Sequence, residues 1–237
     1  MSTQNVHTEG LSLASFRRGC GSCRTRRPFG QRPKRRYILI VCEGEATEPA
    51  YFDALKERLP REMVKRVTVQ GTGVNTYKLF EEAAKCIAKQ ERDALPPFHE
   101  IWLVFDKDSF PDAHFNLTIK EARKRIRWYC AWSNEAFELW YILHFQRVTT
   151  PISRTAYKEM LEREIRALGE SNYFYAKNDA KMFKRLEPYV VNAISRSKMN
   201  LKAQLDEHGD DWAAMNPATC VHELVERLLA YCELTDQ

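Results

Sequence analysis

Two continuous apolar runs, each ending in acidic residues, most constrain the fold of this chain. The first run, residues 38–42, precedes Glu43, and the second, residues 101–105, precedes Asp106 and Asp108. An unbroken apolar run of this length is typical of a strand that is buried on both faces, as in a parallel sheet. In open α/β sheets the functional residues lie just beyond the carboxyl ends of such strands. If the two strands are neighbours, we expect the three carboxylates to share one crevice.

The order of elements before residue 150 favours an α/β fold. Strand-like runs begin near Tyr37, Val64, His99 and Trp128, and a helical pattern follows each of them. This alternation predicts βαβ units and a mainly parallel sheet flanked by helices. Thr47 is the expected N-cap of the first helix. After residue 150 the patterns are helical, so we divide the chain into a basic arm at 1–36, an α/β core at 37–150 and a helical subdomain at 151–237.

Positive charge is concentrated in the arm. Residues 1–36 contain nine Lys or Arg and one acid, a net charge of +8, so on a total of +5 the rest of the chain carries −3. The basic residues of the arm are Arg17, Arg18, Arg24, Arg26, Arg27, Arg32, Lys34, Arg35 and Arg36. A segment so basic and rich in Gly and Pro cannot form its own core. We expect it to bind nucleic-acid phosphates, with a solvated leader as the alternative.

Composition limits where the protein works. No apolar stretch approaches the roughly 18 residues of a membrane span, and the first ten residues are polar rather than signal-like. The seven cysteines are scattered and odd in number, which argues against a disulfide framework. Cys20 and Cys23 have the spacing of half a zinc site, but no second pair with that spacing follows. We expect a cytoplasmic protein without a membrane partner.

The carboxylates at the two strand ends suit a hard divalent cation. Asp106 and Asp108 lie two residues apart, so on an extended segment they project to the same side. Mg²⁺ binds through a few carboxylates and keeps several waters or substrate oxygens. Gly44 lets the chain turn sharply after the first strand and presents Glu43 to the crevice. We therefore predict Mg²⁺ or Mn²⁺ as the cofactor, acting on a phosphoryl group.

Two other interpretations of these carboxylates stay open. Glu43 could cap a helix or pair with Arg36, and the two aspartates could be turn residues ahead of Pro111. In a phosphatase of the haloacid dehalogenase type, the first aspartate of the pair is a nucleophile. That chemistry requires the aspartate pair on the first strand, whereas here it follows a later one.

A third segment, residues 133–145, adds acidic residues to the candidate site. We predict a helix at about 134–146 that is capped by Ser133 and Asn134, with Glu135 and Glu138 three residues apart on one face. Glu138 is a candidate metal ligand or a buried structural partner of an Arg or His. Lys177 could contact the scissile phosphate or be a solvated loop lysine.

These segments also resemble known families. The strand-Glu-Gly and strand-Asp-x-Asp pattern resembles the Toprim domain of topoisomerases, primases and OLD-type nucleases. Residues 38–52, 104–110 and 133–145 are more closely similar to three signature blocks of the RloB family, and residues 216–219 resemble a fourth. The resemblance extends from about Arg35 to the C-terminus.

The resemblance implies a Toprim-like (Rossmannoid) fold with Glu43 as general acid/base and Asp106 and Asp108 as metal ligands. Glu48 and Glu135 fall in the same blocks, and we group them as supporting residues. The common family form has Lys and Pro where this chain has Ala46 and Glu135, so one positive charge is missing and one carboxylate is added. RloB-like proteins are associated with restriction and abortive-infection loci, beside an ATPase of the ABC/SMC-like class.

The combined prediction is a metal-dependent nuclease for DNA or RNA in anti-phage defence, gated by a partner ATPase. The alternative is a non-catalytic sensor or regulatory module of that ATPase complex. Because the body carries −3, we expect weak activity from the isolated protein. The predicted docking surface is the helical half, in particular a stripe of Leu224, Leu228 and Leu229, with core packing as the alternative for that stripe.

Overall fold

A five-stranded sheet lies at the centre of the described chain, which is residues 36–108 and 111–233 of a computed structural model. The strands are β1 (Ile38–Cys42), β2 (Val67–Gly71), β3 (Glu100–Asp106), β4 (Trp128–Asn134) and β5 (Ala218–Thr219). Their order is β2-β1-β3-β4-β5, with β1 to β4 parallel and β5 antiparallel to β4. The mainly parallel α/β prediction is confirmed. The two-residue strand β5 was not predicted, because two residues show no periodicity.

Helices flank the sheet and continue to the end of the described chain. They are α1 (Thr47–Lys56), α2 (Arg61–Val64), α3 (Leu79–Arg92), α4 (Asp112–Arg123), α5 (Glu138–Leu143), α6 (Arg154–Ala167), α7 (Met182–Leu186), α8 (Val190–His208) and α9 (Val221–Glu233). Short 3-10 turns lie at Thr76–Lys78 and Glu187–Tyr189.

Two predicted helix caps are wrong. The N-cap of α1 is Ala46, without a side-chain hydrogen bond, and Thr47 is already helical. Ser133 and Asn134 belong to β4, where they pair with Thr219 and Ala218 of β5, and α5 begins only at Glu138. Pairing with a distant strand therefore overrides the local capping tendency of Ser and Asn, because it satisfies their backbone groups in a ladder.

The two faces of the sheet have separate cores. Side chains alternate along β1, so Ile38, Ile40 and Cys42 face one core while Leu39 and Val41 face the other. Helices α1, α5, α6, α8 and α9 contribute to the first core, and α3 and α4 contribute to the second. Because both faces are covered, the central strands β1 and β3 are apolar along almost their whole length, whereas the edge strand β2 alternates buried and exposed residues. The helices after residue 150 thus share a core with the sheet.

The carboxyl ends of β1 and β3 meet at a switch point of the sheet. From β1 the chain moves to β2 on one side, whereas β3 lies on the other side. Cys42 is in register with Val104, and the Glu43 N–H donates to the Val104 carbonyl at 2.8 Å. Open α/β sheets bind ligands in the crevice at such a point. The expectation that the two strands are neighbours is confirmed.

Most of the basic arm lies outside the described residues, as do Cys20 and Cys23. Arg36 is the exception, and it belongs to the ion pairs at the amino end of β3. Within the described ranges, no helix combines the length and the apolar character that crossing a membrane requires.

Candidate active site

A cleft of about 430 Å³ opens at the carboxyl ends of β1 and β3. It is lined by Glu43, Gly44, Glu45, Ala46, Thr47, Glu48, Gly73, Asp106, Asp108, Phe137, Glu138, Arg154 and Lys177. The structure therefore brings together all the predicted body residues of the site except Glu135. Six of the lining residues are acidic and two are basic, so the cleft has a strong excess of negative charge.

Glu43 joins the two strand ends. The Thr76 hydroxyl donates a hydrogen bond to its Oε1 at 2.9 Å, and the Asp106 N–H donates to its Oε2 at 3.1 Å. Burial raises the pKa of Glu43, and these hydrogen bonds oppose the increase. Arg36 pairs with Glu100 at the opposite end of β3, so the alternative pairing of Glu43 with Arg36 is wrong.

Gly44 makes room for a second buried carboxylate. A Cβ atom on Gly44 would collide with the carboxylate of Glu48, which is only 6% exposed in the first turn of α1. Burial, together with the nearby carboxylates of Glu138 and Glu43, raises the pKa of Glu48 to about 7. A side chain at position 44 would therefore have to push the end of the Glu48 side chain aside, and the φ of Gly44 is not positive.

Asp106 is the most constrained carboxylate of the cleft. Its side chain is 14% exposed, and its Oδ2 accepts a hydrogen bond from the Phe137 N–H at 3.1 Å. Its Oδ1 is buried without a hydrogen-bond partner among the described residues. Burial, followed by the charges of Glu48 and Glu138, raises the pKa of Asp106. An acceptor left without a donor in this position is suited to a cation.

Asp108 lies at the rim of the cleft in a left-handed backbone conformation, with φ 40°. Asp tolerates this conformation better than most residues. Its N–H donates to the Glu135 carbonyl at 3.1 Å, and its side chain is 42% exposed. Glu135 therefore supports the site through its backbone, and its side chain does not line the cleft.

Glu138 reaches the cleft from α5. It is 5% exposed, and the Tyr175 hydroxyl donates to its Oε1 at 2.9 Å. Its hydrogen-bonding neighbour is therefore a tyrosine, where the structural alternative expected an Arg or His. Lys177 follows two residues after Tyr175, is exposed, and has no ion pair with any residue that the structure describes.

Among the residues that sequence reasoning missed are Thr76, which donates to Glu43, and Arg154, which lines the cleft. Arg154 opens α6 and pairs with Asp108 at 3.2 Å and with Asp106 at 3.5 Å. Tyr157, one turn later, is buried. The helical pattern of this part of the chain, after residue 150, was predicted. Periodicity does not show which distant strand end a helix faces, so the role of its first turn had no signal in the sequence.

The match to a protein family covers the whole cleft. The family model described as RloB-like protein matches residues 38–228, and every residue lining the cleft lies within that range. The chain belongs to the RloB-like protein family. A search of curated proteins and a search of solved structures each found no match. The resemblance on which the sequence prediction rested is thereby confirmed at the level of the family.

Two features of this RloB-like chain limit the predictions about its partners. Across residues 36–108 and 111–233, no three His, Cys, Asp or Glu side chains are arranged so that they could hold one metal ion together. In α9, Leu224 and Leu228 are fully buried, and Leu229 packs against the same core. The apolar stripe of α9 therefore serves the core, which is the alternative to the predicted docking surface.

Proposed function

We propose that this RloB-like protein is a divalent-metal-dependent nuclease that cuts a phosphodiester bond in DNA or RNA. The observation that carries the proposal is the convergence of carboxylates from β1, α1, β3 and α5 in one cleft at the switch point of the sheet. Burial and mutual repulsion raise the pKa of several of them, and shifts of this kind cluster at functional sites. The Toprim-like pattern of the sequence supports the same chemistry.

The donors in the cleft fit a hard cation. All are carboxylate oxygens, which Mg²⁺ and Mn²⁺ prefer, and Asp106 Oδ1 is buried without a hydrogen bond within the described chain. Mg²⁺ is usually held by one or two carboxylates together with waters and substrate oxygens, so a set of three protein ligands is not required. Asp106 and Asp108 would hold the ion, and the predicted ligand Glu138 would add negative charge beside it without completing a set of three. A bound ion would polarise the phosphoryl group and activate water.

We assign proton transfer to Glu43. Its raised pKa brings the carboxyl nearer to neutral pH, where a general acid or base is most effective. The hydrogen bonds from Thr76 and Asp106 hold the carboxyl at the carboxyl ends of β1 and β3. In this role Glu43 would accept a proton from the attacking water, and the leaving oxygen would take its proton from solvent.

Positive charge for the substrate has two proposed sources. Lys177 lines the cleft and has no ion pair among the described residues, so its ammonium group is free to bind a phosphate. The basic arm would add affinity by neutralising phosphates away from the cleft. Binding that depends on such contacts weakens steeply with salt, so deletion of residues 1–36 should flatten the salt dependence and leave metal binding intact.

Family membership supports a role in anti-phage defence, in which a neighbouring ABC/SMC-like ATPase gates a cytoplasmic nuclease. The charge of the cleft provides a physical reason for gating. Its six acidic side chains outnumber its two basic ones, so the cleft by itself repels a polyanion. A partner that adds positive charge beside the cleft would remove this barrier.

The direct test measures cleavage of total RNA and of plasmid DNA by the purified chain, with and without the ATPase. We expect one nucleic acid to be cut, only with Mg²⁺ or Mn²⁺ and mainly in the presence of the ATPase. Asp106→Asn should abolish cleavage. Asp206→Asn, on the exposed surface of α8, is the matched control and should not change it. Cleavage by Asp106→Asn, or in a chelator, would contradict the proposal, and strong cleavage by the chain alone would contradict gating.

One observation favours the non-catalytic alternative, a sensor or regulatory module of the ATPase complex. Arg154 pairs with both Asp106 and Asp108, as in a structural ion pair. Calorimetry separates the two functions. If wild type and the Asp106→Ala/Asp108→Ala variant give the same response to Mn²⁺, the aspartates are structural and the module is favoured.

A further inference from the structure

Arg154 is tied to the two aspartates, unlike the other basic residue of the cleft. Its Nη1 lies 3.2 Å from Asp108 Oδ2, and its Nη2 lies 3.5 Å from Asp106 Oδ2. Lys177, by contrast, has no ion pair with a described residue. The guanidinium therefore neutralises the same two carboxylates that would hold a metal ion.

The first turn of α6 places the Arg154 guanidinium against these carboxylates. Ser153 caps the helix by accepting the Ala156 N–H at 3.3 Å, which fixes where Arg154 begins. The Arg154 Nε is buried and has no hydrogen-bond partner among the described residues, and the same holds for the hydroxyl of fully buried Tyr157. Burial raises the pKa of Tyr157, and the charges of Glu135, Glu138 and Asp106 raise it further. Arg154, which lines the cleft, therefore has unused hydrogen-bonding capacity there, and Tyr157 has the same one turn along α6.

A guanidinium and a divalent cation compete for these aspartates. Both draw on the same negative charge, and two cations at contact distance repel strongly in a partly buried site. A guanidinium also differs from an ammonium group in its shape. Its planar fork of N–H donors matches two oxygens of a phosphate, as it matches two carboxylates here.

We propose that Arg154 is a phosphate-binding residue of this site and that it leaves Asp106 and Asp108 when a divalent cation binds there. The inference rests on the proposed function, which supplies both the cation and the phosphate. Because α6 anchors the residue beside the cleft, the released guanidinium remains next to the position of a bound phosphodiester. Metal binding and nucleic-acid binding are then positively coupled, since the first event frees the group that serves the second.

The first test is calorimetry with Mn²⁺ alone on wild type, Arg154→Gln and Arg163→Gln. We expect Arg154→Gln to bind Mn²⁺ about tenfold more tightly, because the competing cation is gone. Arg163 lies on the same helix, is 65% exposed and pairs with its neighbour Glu164, so its variant should match wild type. Equal or weaker Mn²⁺ binding by Arg154→Gln would overturn the inference.

The second test measures anisotropy of a labelled 20-nucleotide RNA and of the matching DNA. A Glu43→Gln background prevents cutting. In this background we expect Mn²⁺ to tighten binding of the preferred oligonucleotide. Adding Arg154→Gln should weaken binding in Mn²⁺ by about tenfold, the loss of one charge-assisted contact. Unchanged binding would overturn the inference. If Arg154→Gln does not fold, Arg154→Lys takes its place, and it should weaken oligonucleotide binding while leaving Mn²⁺ affinity near that of wild type.

Neither readout requires cleavage, so the two ideas can fail separately. If Mn²⁺ and oligonucleotide binding respond to Arg154 as expected but no nucleic acid is cut, the proposed function fails and the inference stands. If wild type cuts nucleic acid while substitution of Arg154 changes neither Mn²⁺ affinity nor oligonucleotide affinity, the function stands and the inference fails. A wild-type chain that binds no Mn²⁺ overturns both.

Discussion

The two ends of strand β3 both carry buried carboxylates, but the electrostatic environments of these carboxylates shift their pKa values in opposite directions. At the amino end, Glu100 is 2% exposed, and both of its oxygens accept from the Arg227 guanidinium, with Arg36 as a second cation at 2.7 Å. These arginines lower the pKa of Glu100 despite its burial. At the carboxyl end, burial and neighbouring acids raise the pKa values of Asp106 and Glu48, although Arg154 lies 3.5 Å from Asp106.

The difference separates a structural carboxylate from a functional one. A buried acid with matched cations has its charge neutralised within the fold, so it can contribute to stability. Acids that repel one another are tolerated only where the rest of the fold holds them in place. A bound cation stabilises such acids because it offsets their repulsion. We therefore expect variants at the amino end to change stability and variants at the carboxyl end to change activity.

The largest expected effect is on cleavage, from Glu43→Gln at the carboxyl end. Loss of a general acid or base should lower the cleavage rate about a thousandfold. Glu100→Gln, the matched change at the amino end, should leave the rate per folded molecule unchanged. The measurement is the single-turnover rate on the preferred nucleic acid. A similar loss in both variants would erase the distinction between the two ends.

The next largest effect is on stability, from the same Glu100→Gln change. Removing the charge leaves Arg227 and Arg36 without their partner, and we expect a loss of about 2 kcal/mol in the free energy of unfolding at pH 7. The loss stays below that of a fully buried pair because both arginines are more than a third exposed and can be hydrated. Denaturant unfolding measures it. The exposed pair of Lys198 and Glu226 supplies the control, since Glu226→Gln should change stability by less than about 0.5 kcal/mol.

The third effect has the opposite sign and depends on pH. Burial and neighbouring acids raise the pKa of Glu48 from 4.5 to about 7, so between these values the folded protein holds a proton that the unfolded chain has released. Stability is therefore lost as the pH rises through this window. We expect Glu48→Gln to be more stable than wild type by about 2 kcal/mol at pH 8, with no difference near pH 4.

Glu100 provides the contrast for this pH experiment. Its pKa is lowered in the folded state, so its contribution is present above the unfolded value of 4.5 and is lost as the pH falls through the folded value. The stability difference between Glu100→Gln and wild type should therefore disappear in acid, because protonation of Glu100 removes the same contribution from the wild type. Unfolding curves at several pH values test both variants together. Parallel pH profiles for the two would mean that the two ends of β3 are electrostatically alike.

The sequence was sufficient to predict the parallel strands and the carboxylates at their ends. An apolar run buried on both faces has a local signature, and a strand end locates Glu43 and Asp106 without any knowledge of the contacts. The adjacency of β1 and β3, which creates the switch point, was only a condition of the prediction, and the strand order of the structure shows it. The helical pattern of residues 133–145 made Glu138 a candidate, and the structure places it in the same cleft.

Residues whose role depends on distant contacts were not predictable in the same way. Arg154 and Asp106 are 48 positions apart, and Glu100 and Arg227 are 127 apart. Neither pair has a spacing that indicates contact. The short strand β5 likewise exists because Ala218 and Thr219 pair with the end of β4. Local propensity predicts elements, whereas these features arise from how the elements pack.

The smallest expected effect, from Arg36→Gln, tests whether the last residue of the arm belongs to the fold or to the nucleic-acid surface. Arg36 is 40% exposed and makes one contact with Glu100, which Arg227 continues to neutralise, so we expect a stability loss of about 0.5 kcal/mol. Because Arg36 sits at the end of β3 opposite the cleft, the salt dependence of oligonucleotide binding should not change. A phosphate contact would instead reduce the slope of log affinity against log salt by about 1. That reduction, measured by anisotropy over a salt series, would assign Arg36 to the nucleic-acid-binding arm.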